Sequence, residues 1–316
     1  MSEYTKLDSH QTKLILAQYP LGTLLSTKLL NGGSENTNYR LHTSNGDFVL
    51  TLCEQKTLLG AQQLTDLLAH LDQNNFTTSK VISNNKGELV MLWEGKPVMI
   101  KNYLPGSIRK KLSTPLLQSL GQQLARLHLI KPPAYLEHRV IFGKESFDQI
   151  EIYDKDSEFQ TWLYSIRNII HEQIEQNLPK SLIHSDVFFN NVIVAEDSIT
   201  ATIMDFEEAC YYYRVFDIGM MLVGLCEESD KLNTSNAQSI LTGYQQVSRL
   251  HENEKQALQS FTAYAAAATA FWRHKQFHYV MPNSKLNNHY LHMKNLGDDV
   301  LNMPPVEFRK SLDNAT

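Results

Sequence analysis

The sequence predicts a mixed α/β protein of the α+β type, with a small, mainly antiparallel N-terminal part and a larger, mainly helical C-terminal part. Strand-like segments at 39–43 and 48–52 flank Asn45-Gly46, a dipeptide that favours a tight hairpin. Two further strands are predicted at 89–93 and 98–103. Apolar residues at helical spacing dominate the chain beyond this point, which gives the fold its second part.

Helices are predicted wherever apolar residues recur every three or four positions. A short helix is expected in residues 8–19, and a leucine stripe predicts a longer one at 57–72. Ser113 or Thr114 can cap a helix that has Pro115 in its first turn and ends at His128. Further helices are expected at 159–173, 240–247 and 252–272, the last of them rich in alanine.

Composition excludes several classes of protein. A net charge of −5 and a pI near 6.2 give no electrostatic footprint for nucleic acid or for an anionic membrane. The three cysteines, Cys53, Cys210 and Cys226, are far apart, which predicts neither a disulfide framework nor a C-x-x-C metal site. The first ten residues lack signal-peptide features, and the longest apolar runs, of about a dozen residues, are too short to cross a bilayer. These features predict a cytoplasmic protein.

The most informative stretch lies between residues 181 and 206. Short strands are predicted at 181–183, 192–194 and 199–204, and polar residues cluster where they end. The first cluster contains His184, Asp186 and Asn191, and the third strand ends in Asp205. A carboxylate, an amide five residues later and a second carboxylate across a hairpin can supply what phosphoryl transfer needs, namely a group that orients a hydroxyl and two oxygen ligands for Mg²⁺.

The spacing H-x-D-x-x-x-x-N and the later Met204-Asp205-Phe206 resemble the aminoglycoside phosphotransferase and choline kinase superfamily, relatives of the protein kinases. The resemblance implies a two-lobed, protein-kinase-like fold with ATP bound in the cleft. It implies that Asp186 is the catalytic base, that Asn191 and Asp205 bind Mg²⁺, and that His184 supports the loop. Asp217 matches a superfamily aspartate that braces the catalytic loop, which is a second supporting role.

The same resemblance divides the chain into lobes. Leu104-Pro105-Gly106 ends the run of strands and is expected to form a hinge. The predicted N-terminal, nucleotide-covering lobe is 1–103, the hinge is 104–107, and the catalytic and substrate-binding lobe is 108–316.

A small-residue loop is the candidate phosphate-binding element of the first lobe. Glycines and small polar residues let backbone N–H groups approach phosphates closely. The candidates are Gly32, Gly33, Ser34, Asn36 and Asn38.

The third strand lacks the cation that kinase-like folds usually carry there, because Thr51 occupies the position. A hydroxyl cannot replace that charge. Lys56, Lys101 or Arg40 could supply it, or metal ions could neutralise more of the phosphate charge. A nucleotide-binding pseudokinase is the alternative from a different functional class.

Two strings narrow the resemblance to one branch. Residues 33–39, GSENTNY, and 48–54, FVLTLCE, resemble the bacterial type II homoserine kinases, in which threonine stands at the position of the cation. The branch implies L-homoserine as the substrate, in threonine biosynthesis. Where those kinases carry F-Y-F-A-C-N, this chain has FEEACY at 206–211, so acceptor specificity is the part in doubt.

The zwitterionic backbone of homoserine needs an acidic and a cationic partner. Glu207 and Glu208 are candidates for the ammonium group and Arg273 for the carboxylate, with solvent-exposed glutamates and a cationic helix end as the plainer interpretations. Kinases of choline, ethanolamine or aminoglycosides remain alternatives, and the tyrosines at 211–213 could form an aromatic box for choline. A small-molecule alcohol is the expected partner, and the sequence leaves the oligomeric state open.

Overall fold

The computed structural model of the protein describes residues 5–30, 36–174 and 177–313. The chain divides into two compact units, Met1–Pro105 and Gly106–Thr316. The boundary falls inside the 104–107 segment, and the hinge motion expected there stays a prediction. No helix in the described ranges has the length and apolar character needed to cross a membrane.

The first unit contains an antiparallel sheet of six strands in the order β1-β2-β3-β6-β4, with β5 paired to β6. The strands are β1 Leu24–Leu30, β2 Asn36–Thr43, β3 Gly46–Cys53, β4 Val81–Ile82, β5 Met91–Trp93 and β6 Lys96–Asn102, and the helices are α1 Ser9–Leu16 and α2 Leu58–Gln73. The β2–β3 register pairs Thr43 with Gly46, which confirms the hairpin predicted from Asn45-Gly46.

One face of this sheet packs on α1. An Asp8–Gln11 capping box starts the helix, and its apolar residues join the inward-facing residues of β2, β3 and β6. The cluster consists of Leu7, Ile15, Leu16, Tyr19, Leu21, Tyr39, Leu41, Leu50, Leu52, Val98 and Ile100. Because side chains alternate along a strand, Asn38 and Thr51 lie on the opposite face.

The second unit is mostly helical. Its helices are α3 Thr114–Leu129, α4 Glu158–Ile174, α5 Arg214–Cys226, α6 Thr234–Gln245, α7 Glu252–Lys275, α8 His289–Asn302 and α9 Pro305–Asp313. Its strands form three antiparallel pairs: β7 Lys180–Ile183 with β10 Cys210–Tyr213, β8 Val192–Val194 with β9 Ala201–Ile203, and β11 Glu227–Glu228 with β12 Lys231–Leu232. Every residue of α5 is buried, and α7 packs against α4, α5 and α8.

The predicted fold class is confirmed, since an antiparallel N-terminal sheet is followed by a mainly helical remainder. The sequence analysis predicted no strand at β1, β4, β10, β11 or β12, and β1 and β10 show why. β1 is an edge strand with no strict alternation of buried and exposed residues, so its period-2 signal is absent. β10 contains the tyrosine run. It pairs with β7 only in the tertiary structure, where Cys210 lies opposite Ile183, 27 positions earlier in the chain.

Candidate active site

Two strand pairs bring the separated motifs together. β7 delivers His184 and Asp186 to the loop that follows it, and Asn191 immediately precedes β8. The N–H of Met204 donates to the Asn191 carbonyl oxygen at 2.9 Å, which extends the β8–β9 pairing by one residue. Asp205 therefore emerges beside Asn191 rather than at a distance from it.

Asp186 is partly buried among acidic neighbours. Burial raises the pKa of its carboxyl group to about 7, with the charges of Asp205 and Glu208 acting in the same direction. The hydrogen bond from Asn191 and the charge of Arg273 oppose that rise in pKa. A carboxylate with this pKa accepts a proton near neutral pH, as a general base requires.

His184 connects the two sides of the site. Its ring is buried, and Nε2 lies 3.0 Å from the Met204 carbonyl oxygen, which assigns a proton to that nitrogen. Nδ1 then accepts the backbone N–H of Asp186 at 3.2 Å. The imidazole therefore links the backbone of Met204, the residue before Asp205, to the backbone of Asp186.

Asp217, near the start of α5, lies beneath the same loop. Its side chain is fully buried and accepts the backbone N–H groups of His184 and Ser185, at 2.8 and 2.7 Å. Because one carboxylate holds the two residues that precede Asp186, this contact fixes the backbone from which Asp186 projects.

Asn191 and Asp205 have the chemistry of a magnesium site. The Nδ2 group of Asn191 donates to the carbonyl oxygen and to Oδ2 of Asp186, at 2.8 and 2.9 Å, so its amide oxygen is the atom it can offer to a cation. Asp205 is exposed, with φ +68°. Among residues 5–30, 36–174 and 177–313, no group of three or more His, Cys, Asp or Glu side chains is arranged to hold a metal ion. A Mg²⁺ ion completed by substrate phosphates needs only one or two protein carboxylates, so the two residues fit it.

The candidate phosphate loop is described only at its end. Gly32, Gly33 and Ser34 lie outside the described residues, whereas Asn36 and Asn38 begin β2. The Thr51 hydroxyl donates to Asn38 Oδ1 at 2.7 Å. The position that usually carries a cation is therefore occupied by a neutral hydrogen-bonded pair.

The three candidate replacement cations differ in their surroundings. Arg40 donates to Asp47 at 2.6 Å and lies over the ring of Tyr103 at 4.1 Å, so its charge is already paired. Lys101 lies in β6 two residues from Met99, the partner of Thr51 in the register, and so shares the face of Thr51. Lys56 lies between β3 and α2.

Sequence comparison identifies the family. A sequence model of the phosphotransferase enzyme family, APH, matches residues 26–261. The chain belongs to this family.

Curated relatives within the phosphotransferase family include a homoserine kinase of Afipia carboxidovorans, 30% identical over 267 residues that cover 82% of this chain and 81% of the relative. A homoserine kinase of Rhodopseudomonas palustris is 29% identical over 269 residues, with the same coverage. The predicted kinship with homoserine kinases is confirmed at this level of similarity.

Solved structures of the phosphotransferase fold superpose over nearly the whole chain. A microcompartment-associated aminopropanol kinase has a TM-score of 0.74 at 18% identity and covers 98% of this chain and 100% of its own. A choline/ethanolamine kinase family protein from Mesorhizobium loti has a TM-score of 0.72 at 13% identity, with 96% and 98% covered. At these identities the likeness establishes the fold, which is the protein-kinase-like fold that the sequence predicts. As a phosphotransferase of this family, the protein is an ATP-dependent kinase that acts on a small-molecule alcohol.

Of the residues predicted to select the phosphotransferase's acceptor, Glu208 and Arg273 act on Asp186. Glu208 influences the pKa of Asp186, and its carbonyl oxygen accepts the Ser185 hydroxyl at 2.7 Å, whereas Glu207 is half-buried nearby in the chain. Arg273, in the last turn of α7, also acts on Asp186 and lies over the Phe188 ring at 5.9 Å. The fold therefore gathers an acidic and a basic candidate around one carboxylate.

The tyrosine run does not form an aromatic box. Tyr212 and Tyr213 are buried in β10, and Tyr211 packs edge-on against His138 at 5.1 Å. Lys180 Nζ already lies over the Tyr213 ring at 4.7 Å. These rings are committed to packing, which removes the feature that favoured choline.

Sequence reasoning missed two neighbours of Arg273. Glu227, which begins β11 directly after α5, raises the pKa of Arg273, and Phe188 lies beneath the guanidinium group of Arg273. Phe188 lies within the H-x-D-x-x-x-x-N motif, so the sequence alone could have placed an aromatic ring beside the catalytic residues. Glu227 had no such signal, since β12, α6 and most of α7 separate it from Arg273 in the sequence.

Proposed function

We propose that this kinase transfers the γ-phosphate of ATP to the primary hydroxyl of L-homoserine and releases O-phospho-L-homoserine, a reaction of threonine biosynthesis. The names of its curated relatives support this acceptor. The surroundings of Asp186 support it on chemical grounds.

The observation that carries the proposal is the state of Arg273. Its guanidinium donates to the His289 carbonyl oxygen at 3.4 Å, and no carboxylate of the described chain forms an ion pair with it. Burial lowers its pKa to about 10, although the charges of Glu227 and Asp186 act to raise that pKa. A partly buried guanidinium that acts on the proposed base, and that forms no ion pair among the described residues, suits a planar carboxylate such as that of an amino acid.

The ammonium group of homoserine also needs a negatively charged partner near the proposed base. Glu208 is our first candidate, because its charge reaches Asp186. Glu207 remains a second candidate from the sequence, and the charge of Glu227 acts on Arg273. An acidic group and a cationic group that both act on the proposed base suit a zwitterion better than choline or ethanolamine, which lack a carboxylate.

In the proposed reaction, Asp186 accepts the proton of the homoserine hydroxyl while the hydroxyl oxygen bonds to the γ-phosphorus of ATP. The bond between the γ-phosphorus and the oxygen that bridges it to the β-phosphate breaks, and ADP leaves. Asn191 holds one oxygen of the Asp186 carboxylate, which leaves the other oxygen for the substrate. His184 and Asp217 support the loop through the backbone contacts described above.

We propose Asn191 and Asp205 as the Mg²⁺ ligands and the 32–38 loop as the phosphate cradle, with Gly32, Gly33, Ser34, Asn36 and Asn38 as its contributing residues. Mg²⁺, when bound, neutralises the charge that develops on the transferred phosphoryl group and the leaving phosphate. The backbone N–H groups of a glycine-rich turn can approach phosphate oxygens closely.

The test is ADP release from Mg·ATP with a matched panel of acceptors. L-homoserine is compared with 3-aminopropan-1-ol, which lacks only the carboxylate, and with 4-hydroxybutanoate, which lacks only the ammonium group; choline and an aminoglycoside complete the panel. We expect kcat/KM for L-homoserine to exceed that of each truncated analogue by on the order of 10²-fold, because a charged group left unpaired in the site is penalised. Equal turnover of homoserine and 3-aminopropan-1-ol would contradict carboxylate recognition, and preference for choline would contradict the acceptor.

A further inference from the structure

The first residue of α8, His289, contacts Arg273. The guanidinium of Arg273 donates to the carbonyl oxygen of His289 at 3.4 Å, and the charge of Arg273 also acts on the imidazole of that residue. The order of the elements explains the contact, because α7 ends two residues after Arg273 and the chain then returns to begin α8 at His289. The end of one helix therefore meets the start of the next.

The imidazole of His289 has a buried nitrogen without a partner. Its Nδ1 atom is shielded from solvent and forms no hydrogen bond to any of the described residues. The ring of Phe277, whose centroid lies 6.1 Å away, packs beside the imidazole and cannot supply a hydrogen bond to a neutral donor in the ring plane. The imidazole of His292, at 5.9 Å between centroids, uses its own Nδ1 to contact Asp230 at 2.6 Å. Since buried polar atoms nearly always have a hydrogen-bond partner, the exception at His289 indicates a ligand.

The imidazole of His289 is neutral at pH 7.5. Burial lowers the pKa of His289 below its ordinary value of 6.5, and the positive charges of Arg273 and His292 act in the same direction. A neutral imidazole has one N–H group and one acceptor nitrogen, and Nδ1 can carry the proton. In that tautomer Nδ1 offers a hydrogen bond to an anion without placing a second charge beside Arg273.

The start of α8 also favours an anion. The side chain of Asn288, the N-cap residue, makes no capping hydrogen bond, and the first turn contains no acidic residue. The N-terminal end of a helix carries partial positive charge, which a negative group can stabilise. The charge of Glu227 acts on Arg273, but Arg273 forms no ion pair among the described residues. A guanidinium, an unpartnered nitrogen and a helix start therefore occur together, with no acidic side chain bound to any of them in the part of the chain that the structure describes.

We propose that His289 Nδ1 and the guanidinium of Arg273 together bind the carboxylate of the acceptor, which makes His289 a residue that determines specificity. This role rests on the proposed function, which assigns the carboxylate to Arg273. The residue whose carbonyl oxygen contacts the guanidinium also carries Nδ1, the ring nitrogen nearer the backbone, so one planar carboxylate can accept from both donors. Loss of a hydrogen bond to a charged group weakens binding by about tenfold or more.

Three substitutions of His289 test the assignment to Nδ1. The amide nitrogen of asparagine can occupy the place of Nδ1, that of glutamine can occupy the place of Nε2, and leucine has no donor. We expect KM for L-homoserine to rise by about tenfold in His289→Leu and His289→Gln, and to stay within about threefold of wild type in His289→Asn. His171→Leu, which changes an exposed histidine of α4, is the control and should retain the wild-type KM. Equal KM in His289→Leu and His289→Asn would overturn the role of Nδ1.

The matched acceptors identify the group that His289 binds. L-homoserine and 4-hydroxybutanoate have the carboxylate, whereas 3-aminopropan-1-ol lacks it. In His289→Leu, KM should rise for the first two, while KM and kcat for 3-aminopropan-1-ol stay within about twofold of wild type. A purely structural role would impair turnover of all three acceptors, and that result would overturn the proposal. A rise confined to the two acceptors with an ammonium group would assign His289 to the ammonium and would overturn it as well.

Nuclear magnetic resonance tests the contact without turnover. A bound carboxylate should raise the pKa of His289, because a negative charge favours the protonated ring. We expect saturating L-homoserine, with Mg·ADP present, to raise the pKa of the ring signal that disappears in His289→Asn, and 3-aminopropan-1-ol to leave that pKa unchanged. An unchanged pKa in the presence of L-homoserine would contradict the contact.

The same measurements separate the role of His289 from the proposed function. Turnover of L-homoserine by wild type, with an unchanged KM in His289→Leu, would keep the acceptor and overturn the role of His289 alone. If wild type neither binds nor turns over L-homoserine, the acceptor and the role of His289 both fall. When His289→Leu is added to Arg273→Gln, KM should rise by less than about twofold further, because the carboxylate is no longer held. Losses that multiply in full would show that the two residues do not share a ligand.

Discussion

Asn191 binds Asp186 twice through a single amide nitrogen, at 2.8 Å to the carbonyl oxygen and at 2.9 Å to Oδ2. The two bonds hold both the backbone and the carboxylate of Asp186, and they direct the amide oxygen of Asn191 to other partners. One residue can therefore orient the proposed base and contribute an oxygen to the proposed metal site.

Replacing Asp186 with asparagine should abolish most turnover. The amide is nearly isosteric and can still accept from Asn191, but it cannot take the hydroxyl proton at neutral pH. We expect kcat to fall by at least about 10²-fold while ATP affinity changes little. Steady-state ADP release and ATP titration measure the two quantities, and near-normal kcat would show that Asp186 is not the base.

Asp205→Ala should remove the dependence of nucleotide affinity on Mg²⁺. The exposed carboxylate is the one charged ligand of the proposed pair, and the amide of Asn191 alone binds Mg²⁺ weakly. ATP titrations with and without Mg²⁺ measure the effect. Asp197→Asn, which changes an exposed carboxylate of the β8–β9 connection, is the control and should retain the wild-type response. A full Mg²⁺ response in Asp205→Ala would place the metal elsewhere.

Arg273→Gln should weaken binding of the acceptor selectively. The substitution removes the guanidinium that we assign to the substrate carboxylate, so KM for L-homoserine should rise by about tenfold or more. The kcat/KM for 3-aminopropan-1-ol, which has no carboxylate, should change little. The exposed Arg249→Gln serves as a charge-matched control. A parallel loss for both acceptors would indicate that Arg273 supports the fold or the base rather than the carboxylate.

His274 should make stability depend on pH. Burial lowers its pKa to about 4 from the ordinary 6.5, and the charge of His278 adds to that lowering while Asp154 opposes it. The unfolded chain therefore binds the proton more readily, so the free energy of unfolding should fall as pH drops from about 6.5 towards 4.

Denaturant unfolding at pH 7.5 and pH 5 measures this dependence. His274→Gln should show a smaller fall in unfolding free energy between the two pH values than wild type, and the exposed His171→Gln should behave as wild type. A pH dependence that is unchanged in His274→Gln would assign it to other groups.

The catalytic motif could be predicted because its chemistry is local. His184, Asp186 and Asn191 span eight residues of one loop, and Asp205 follows a hairpin whose strands have their own apolar signal. The Asn45-Gly46 hairpin was equally predictable, since two residues determine that turn. β1 was not predicted, because an edge strand with both faces partly exposed needs no alternation of apolar and polar residues.

The sequence by itself determined the fold class, the family and the residues of the proposed chemistry, because hydrophobic periodicity and motif spacing are short-range properties of the chain. Only the tertiary structure decided that Arg273 lies near Asp186, that the tyrosine run is packed rather than open, and that His128 reaches Asp217. Arg273 is 87 positions from Asp186 in the chain, and His128 is 89 positions from Asp217; the packing of helices brings each pair near. Such packing depends on side-chain volumes and close helix approach across the whole core, which no local pattern records.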